Sequence, residues 1–391
     1  MRDFLSNRAK ELKPSGIRKF FDIASEMKDV ISLGVGEPDF ITPWKIRDAG
    51  IQAITKGFTQ YTSNKGLNKL RSEISSYLSV NFGVDFSSEQ TIITVGASEA
   101  IDITLRAIVN EGDEILIPDP SYVSYKPTVE LLGGVAVSVP CSGENGFKLT
   151  KENLLSVITE KTKALIFPYP NNPTGGIMDK KDIEEIIPII LEKDLLVISD
   201  EIYAELTYGK KHCSIASFSE MKDRVVLISG FSKAFAMTGW RVGYVCAPQV
   251  ICSAMLKIHQ YAIICAPIFA QYAALEGLEQ GKQDGFKYVK EMRDEYDKRR
   301  KFMYKSFNEM GLQCFEPEGA FYIFPCVKDT GMTGDEFATA LLNSKKVAVV
   351  PGSAFGEFGK YYVRCSYAYS MKNLVEAISK IQEFIDELKS K

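Results

Sequence analysis

Seven short apolar runs punctuate the middle of the chain, and helical segments separate them. The runs cover residues 91–95 (TIITV), 114–117, 135–139, 164–167, 195–199, 225–229 and 242–247. Between them lie stretches with helical spacing, such as 98–109, 122–132 and 180–192. Runs of four to six apolar residues have no polar face to show water. Alternating with helices, they predict a mainly parallel sheet covered on both sides. After residue 247 the pattern changes. Residues 251–310 read as long helix, and 319–325 and 361–366 read as strands among helices at 335–343 and 371–388. A chain of 391 residues exceeds what one core usually serves. The fold class expected is therefore α/β, with a seven-stranded, mainly parallel sheet between helices and a smaller α+β domain. The large domain is expected over 46–284, and the small one over 1–45 and 285–391.

Charge and residue scarcity exclude several functions. There are 47 Lys plus Arg against 50 Asp plus Glu, a net charge of −3, which argues against a nucleic-acid partner. The longest uncharged stretch, 258–275, holds His259, Gln260, Pro267 and Gln271. A membrane span needs ~20 mostly apolar residues, so this stretch is expected to be a buried helix near an interface. Met1-Arg2-Asp3 opens no apolar leader, so a cytoplasmic protein is expected. The eight cysteines form no Cys-x-x-Cys pair, and several, such as Cys246 and Cys265, sit in apolar runs as small hydrophobes would. Two histidines leave little for a metal site or a Ser-His-Asp hydrolase: His212, in the polar run Lys210-Lys211-His212, is expected at the surface, and His259 in the core.

In such sheets ligands gather at the carboxyl ends of the strands. There the sequence places Gly96-Ala97-Ser98-Glu99, Asn171-Asn172-Pro173-Thr174-Gly175, Asp200-Glu201-Ile202-Tyr203 and Gly230-Phe231-Ser232-Lys233. No phosphate-binding P-loop occurs. Gly34-Val35-Gly36 lacks the third glycine of a dinucleotide fingerprint, and Gly230-Phe231-Ser232-Lys233-Ala234 lacks the closing glycine of a nucleophile elbow. A lysine behind a small-residue turn suits another chemistry. A buried lysine loses its proton readily and bonds aldehydes. An aldehyde cofactor acting as an electron sink needs that lysine and an acid for its ring nitrogen. An arginine and a helix start would hold its phosphate.

These segments resemble the class I/II aminotransferases, pyridoxal 5'-phosphate enzymes of the aspartate aminotransferase fold (fold type I). The similarity runs from Gly34-Val-Gly-Glu-Pro-Asp-Phe40 to Arg364-Cys-Ser-Tyr-Ala368, through Asn171-Asn-Pro-Thr-Gly175, Ser199-Asp-Glu-Ile-Tyr203 and Ser232-Lys-Ala-Phe-Ala-Met-Thr-Gly-Trp-Arg241. Within the family it looks most like the bacterial branch acting on aspartate, aromatic or related amino acids. The resemblance implies that Lys233 is the Schiff-base lysine and proton carrier. Asp200 would pair with the pyridinium nitrogen. Asn172 and Tyr203 would bond the cofactor's phenolic oxygen, and Tyr122 would stack on its ring. The phosphate would meet the amides of Ala97 and Ser98, the Ser98 hydroxyl, Ser232 and Arg241. Many relatives carry a serine three residues before the lysine. Here that position is Gly230, so Ser232 or Ser229 supplies the hydroxyl. Arg364 would clamp the substrate α-carboxylate, with the Gly36 backbone beside it and Ile17 from the segment Lys13-Pro14-Ser15-Gly16-Ile17 closing over.

Tyr61 matches a tyrosine that reaches the neighbouring subunit's phosphate, which implies a homodimer with shared sites. The expected reaction is ping-pong amino transfer from an L-amino acid to a 2-oxo acid such as 2-oxoglutarate. A carbon–sulfur lyase would keep the same Lys, Asp and Arg. A DNA-binding regulator on this fold needs an added domain, and only ~30 residues precede Gly34.

Overall fold

The computed structural model describes residues 2–12, 14, 27 and 29–390. Strand β1 (Ile31–Ser32) stands apart from the main sheet. That sheet holds β2 (Thr91–Thr94), β3 (Glu114–Asp119), β4 (Val135–Pro140), β5 (Thr162–Phe167), β6 (Leu196–Asp200), β7 (Val225–Gly230) and β8 (Gly243–Cys246). Their order is β2-β8-β7-β6-β5-β3-β4. Only β8 runs antiparallel to its neighbours. The central strands are buried along almost their whole length, because helices cover both faces.

The topology fixes where the polar turns go. The parallel strands end at one edge with Thr94, Asp119, Phe167, Asp200 and Gly230. Strand β8 enters from that same edge, with Gly243 opposite both Thr94 and Gly230. Arg241, two residues before Gly243, is thereby placed among the strand ends.

Three further strands, β9 (Tyr322–Ile323), β11 (Val350–Pro351) and β12 (Val363–Ser366), form an antiparallel sheet, and β10 (Val347–Ala348) pairs with β1. Tyr322 is opposite Ser366 and Arg364 is opposite Val350. The chain after β1 is tied down here. Leu33 N–H donates to Ala348 O at 2.8 Å, and Ser366 N–H donates to Leu33 O at 2.7 Å. Gly34 and Gly36 therefore lie next to the strand that carries Arg364. Helices Gly334–Lys345 and Met371–Lys389 pack behind this sheet, both with a buried apolar face.

Three expectations need correction. The region 251–310 is three helices, Gln249–Ala262, Ile268–Asp284 and Lys287–Glu309. Ile264 at φ 72° and Pro267 at the next helix start break the first, and Gly285 with Phe286 breaks the second. The uncharged stretch is also not uniformly buried: Tyr261 is 90% exposed, and Ile263, Ile264 and Phe269 are partly exposed. His212 is not at the surface. Its ring is 4% exposed and Nε2 meets the Glu201 carboxylate at 2.8 Å.

His259 is buried as expected, with Nδ1 2.6 Å from Glu99. Cys246 is buried and Cys265 only partly so, and all eight cysteines are unpaired. Among the described residues no helix is long and apolar enough to cross a membrane.

Candidate active site

A cavity of about 380 Å³ opens at the strand-end edge of the seven-stranded sheet. Its lining includes Gly36, Ala97, Ser98, Tyr122, Asn172, Asp200, Tyr203, Ser232, Lys233, Arg241 and Arg364. Of the expected site residues three are not among them: Ser229, Tyr61 and Ile17. Tyr61 is 78% exposed and does not line this chain's cavity, and Ile17 lies outside the described residues.

Asp200 ends β6, where the sheet gives way to a turn. Its Oδ1 accepts from Ile202 N–H at 3.2 Å, the local bond that favours Asp at such turns. Its Oδ2 accepts from the Tyr125 hydroxyl at 2.7 Å. Burial pushes its carboxyl up to about 6, against the lowering by these two bonds. A buried carboxylate short of a cation is thus poised to pair with one.

Lys233 follows β7 on a compact turn. Its Nζ donates to Gly36 O at 2.6 Å. Burial pushes the ammonium down to about 8, and the charges of Arg364 and Arg241 push the same way while Glu37 opposes them. The lysine is thus tuned toward a neutral, nucleophilic amine.

Arg364 is buried and firmly oriented. Nη1 donates to Asn172 Oδ1 at 2.8 Å and Nη2 donates to Gly34 O. The guanidinium lies 4.5 Å from the Tyr322 ring centre and 4.8 Å from that of Phe355. Among the described residues its Nε is buried without a partner and no carboxylate pairs with the guanidinium. A cation held this way is a ready-made receptor for an anionic ligand.

A second anion site forms at the start of helix Gly96–Ile108. The amides of Ala97 and Ser98 donate to no described residue. Gly96 lies at φ 76°, and a Cβ there would sit 2.7 Å from Arg241 Nη2. Only glycine permits both that backbone turn and the close approach of the guanidinium. The Ser232 hydroxyl lines the cavity, whereas the Ser229 hydroxyl donates to Glu201 O at 3.3 Å behind it.

The sequence reading missed Tyr125, Tyr322, Glu37 and Thr238 in this lining. Tyr125 opens the helix Tyr125–Leu131 three residues after Tyr122, and the turn between them brings the two ring centres to 5.5 Å. Glu37 and Thr238 lie within the motif segments 34–40 and 232–241 but were given no role there, and Tyr322 lies in none.

The sequence matches the family model for "Aminotransferase class I and II" over residues 28–381. The chain belongs to that family. It is 51% identical to a putative aminotransferase, YugH, of Bacillus subtilis (strain 168), over 98% of this chain and 99% of the relative. It is 48% identical to an aspartate aminotransferase of Pyrococcus abyssi, over 98% and 99%. A crystal structure of an aromatic aminotransferase from Pyrococcus horikoshii OT3 superposes with a TM-score of 0.90 at 45% identity, over 95% of this chain and 99% of that one. The protein is a transaminase, and its family works with pyridoxal phosphate.

The cavity fits that cofactor. It offers a nucleophilic lysine for an aldehyde, a buried carboxylate for a ring nitrogen, and free amides with an arginine for a phosphate.

Proposed function

We propose that this transaminase moves the amino group of an L-amino acid of the aspartate, aromatic or related class to a 2-oxo acid such as 2-oxoglutarate. The bound cofactor supplies an aldehyde that takes the amino group and a ring that draws electrons from the substrate's α-carbon. The chain supplies the rest. Lys233 would hold the cofactor and would take the α-proton on a neutral Nζ. Asp200, held by Tyr125, keeps the ring nitrogen protonated. Tyr203 and Asn172 donate to the phenolic oxygen, and Tyr122 covers the ring. Ala97 and Ser98 amides, the Ser98 and Ser232 hydroxyls and Arg241 hold the phosphate. Arg364 fixes the substrate carboxylate beside the Gly36 backbone, so that the Cα–H bond is presented in one orientation.

The observation that carries this reading is the isolation of Arg364. It is buried, aimed and partly unpartnered across the same cavity as Lys233 and Asp200. The chain is proposed to work as a large domain over 46–284 and a small one over 1–45 and 285–391. Separate sheets support this division. A homodimer with shared sites is proposed as well. Ile41, Trp44, Tyr61 and Tyr261 are all at least 60% exposed, apolar surface available to a second copy. Eight unpaired cysteines fit the reducing cytoplasm.

The test supplies each ¹⁵N-labelled amino acid with 2-oxoglutarate. Label recovered in glutamate from aspartate or an aromatic donor supports the proposal. Pyruvate and ammonia from cystathionine, with no labelled glutamate from any donor, would make the chain a lyase instead.

A further inference from the structure

Tyr322 belongs to no motif, yet it is fully buried and sits where three elements of the site meet. Its hydroxyl lies 2.9 Å from the hydroxyl of Tyr203. Its ring lies beneath the Arg364 guanidinium at 4.5 Å. A Cβ on Gly36 would come within 2.6 Å of its oxygen, so the hydroxyl also lies against the loop that receives Lys233. The strand that carries it, β9, is hydrogen-bonded to β12, which carries Arg364.

We propose that Tyr322 is a positioning residue for this site: it donates to the Tyr203 oxygen and so strengthens the hydrogen bond that Tyr203 gives to the cofactor's phenolic oxygen. The inference rests on the role given to Tyr203 above. Its direction follows from counting protons. Two phenols carry two protons. If Tyr203 points its proton at the cofactor, the 2.9 Å link needs the other, and only Tyr322 can supply it.

The Tyr322 hydroxyl has no acceptor among the described residues other than Tyr203. Both phenols keep their protons, because burial pushes both up, Tyr203 furthest. The charge of Arg364 draws Tyr322 back down, which makes it the better donor of the two. Hydrogen bonds in series polarise one another, so the outer bond sharpens the inner one. Tyr322 thereby joins the carboxylate receptor to the group that tunes the cofactor.

The experiment follows the visible absorbance of the bound cofactor against pH in the holoenzyme. Tyr203→Phe, Tyr322→Phe and the double variant are compared with the parent. Weaker donation to the phenolic oxygen raises that group's proton affinity, so the midpoint should move up. Tyr203→Phe should move it most. Tyr322→Phe should move it up by a few tenths of a pH unit, roughly the share that cooperativity adds to one bond. The double variant should match Tyr203→Phe alone, since Tyr322 acts through it. An unmoved or lowered midpoint in Tyr322→Phe, with Tyr203→Phe shifted, would overturn the relay and leave the role of Tyr203 standing. So would an effect of Tyr322→Phe that persists without the Tyr203 hydroxyl. No shift in Tyr203→Phe would remove the role of Tyr203, and the relay with it.

Discussion

Replacing Asp200 with Asn should stabilise the cofactor-free protein while crippling the enzyme. In the folded chain burial raises this carboxyl from 3.8 to about 6. Each pH unit of displacement corresponds to 1.36 kcal/mol, so holding Asp200 ionised at pH 7 costs about 3 kcal/mol. The sign follows from the protons bound. Between 3.8 and 6 the folded state holds more protons at this site than the unfolded chain does, so stability falls as pH rises through that window. Below 3.8 both states are neutral and the cost vanishes. Asn keeps the shape and both local bonds. Its Oδ1 accepts from Ile202 N–H, and its Nδ2 donates to the Tyr125 oxygen once that hydroxyl rotates.

Urea unfolding of the apoprotein, compared with Asp200→Asn at pH 5 and 7, measures the difference. The variant should lead by about 3 kcal/mol at pH 7 and by roughly half that at pH 5. Adding pyridoxal phosphate should narrow or reverse the lead, because a protonated ring nitrogen offsets the aspartate charge and has no such effect on asparagine. A lead that is the same at both pH values would refute the reasoning, and so would a variant less stable than wild type at pH 7.

Other consequences are more direct. Capture of pyridoxal phosphate by the apoprotein should rise to half-maximum near pH 8, where Lys233 loses its proton, and borohydride should fix the cofactor on Lys233 alone; label on another lysine would remove its assignment. Arg364→Leu should raise KM for every amino and oxo acid by roughly a hundredfold to a thousandfold, the loss of a buried bidentate charge pair, and should move the capture midpoint above 8, because one of the charges that depress Lys233 is gone. Mixing Lys233→Ala with Tyr61→Ala under subunit exchange should restore activity toward half of wild type per mixed dimer, since one shared site then carries both defects and the other neither. Full activity from a monomer in light scattering would end that reading.

The main sheet was legible because the parallel strands are buried on both faces, which leaves a pattern no amphipathic helix imitates. Seven runs became seven strands, with ends displaced by a residue or two. Asp200 and Lys233 were legible for a related reason: a charged side chain at the end of a buried strand, or on the short turn that follows it, has either a structural partner or a function. The break at 263–267 was not legible. Ile263 and Ile264 continue the apolar pattern, and only the positive φ of Ile264, a tertiary outcome, ends the helix before Pro267. His212 misled for the opposite reason. Two lysines precede it, and their polarity says nothing of the carboxylate that Glu201, just after β6, brings to it in three dimensions.

The tyrosines mark a deeper limit. Tyr125 and Tyr322 each fill a core position as any large aromatic would, and hydrophobic patterning registers only that. What each adds rests on one oxygen. At Tyr125 it bonds the carboxylate of Asp200, and at Tyr322 it bonds the hydroxyl of Tyr203. Phenylalanine at either place would give nearly the same pattern and the same packing, but would leave a buried acceptor short of a donor, at a cost of about 1–3 kcal/mol. The information that separates the two residues is the identity of an atom 2.7 or 2.9 Å away, contributed by a distant part of the chain. The residues proposed to touch the cofactor thus announce themselves by motif, whereas those proposed to set its electronic surroundings become visible only once the strand ends have been brought to a common edge.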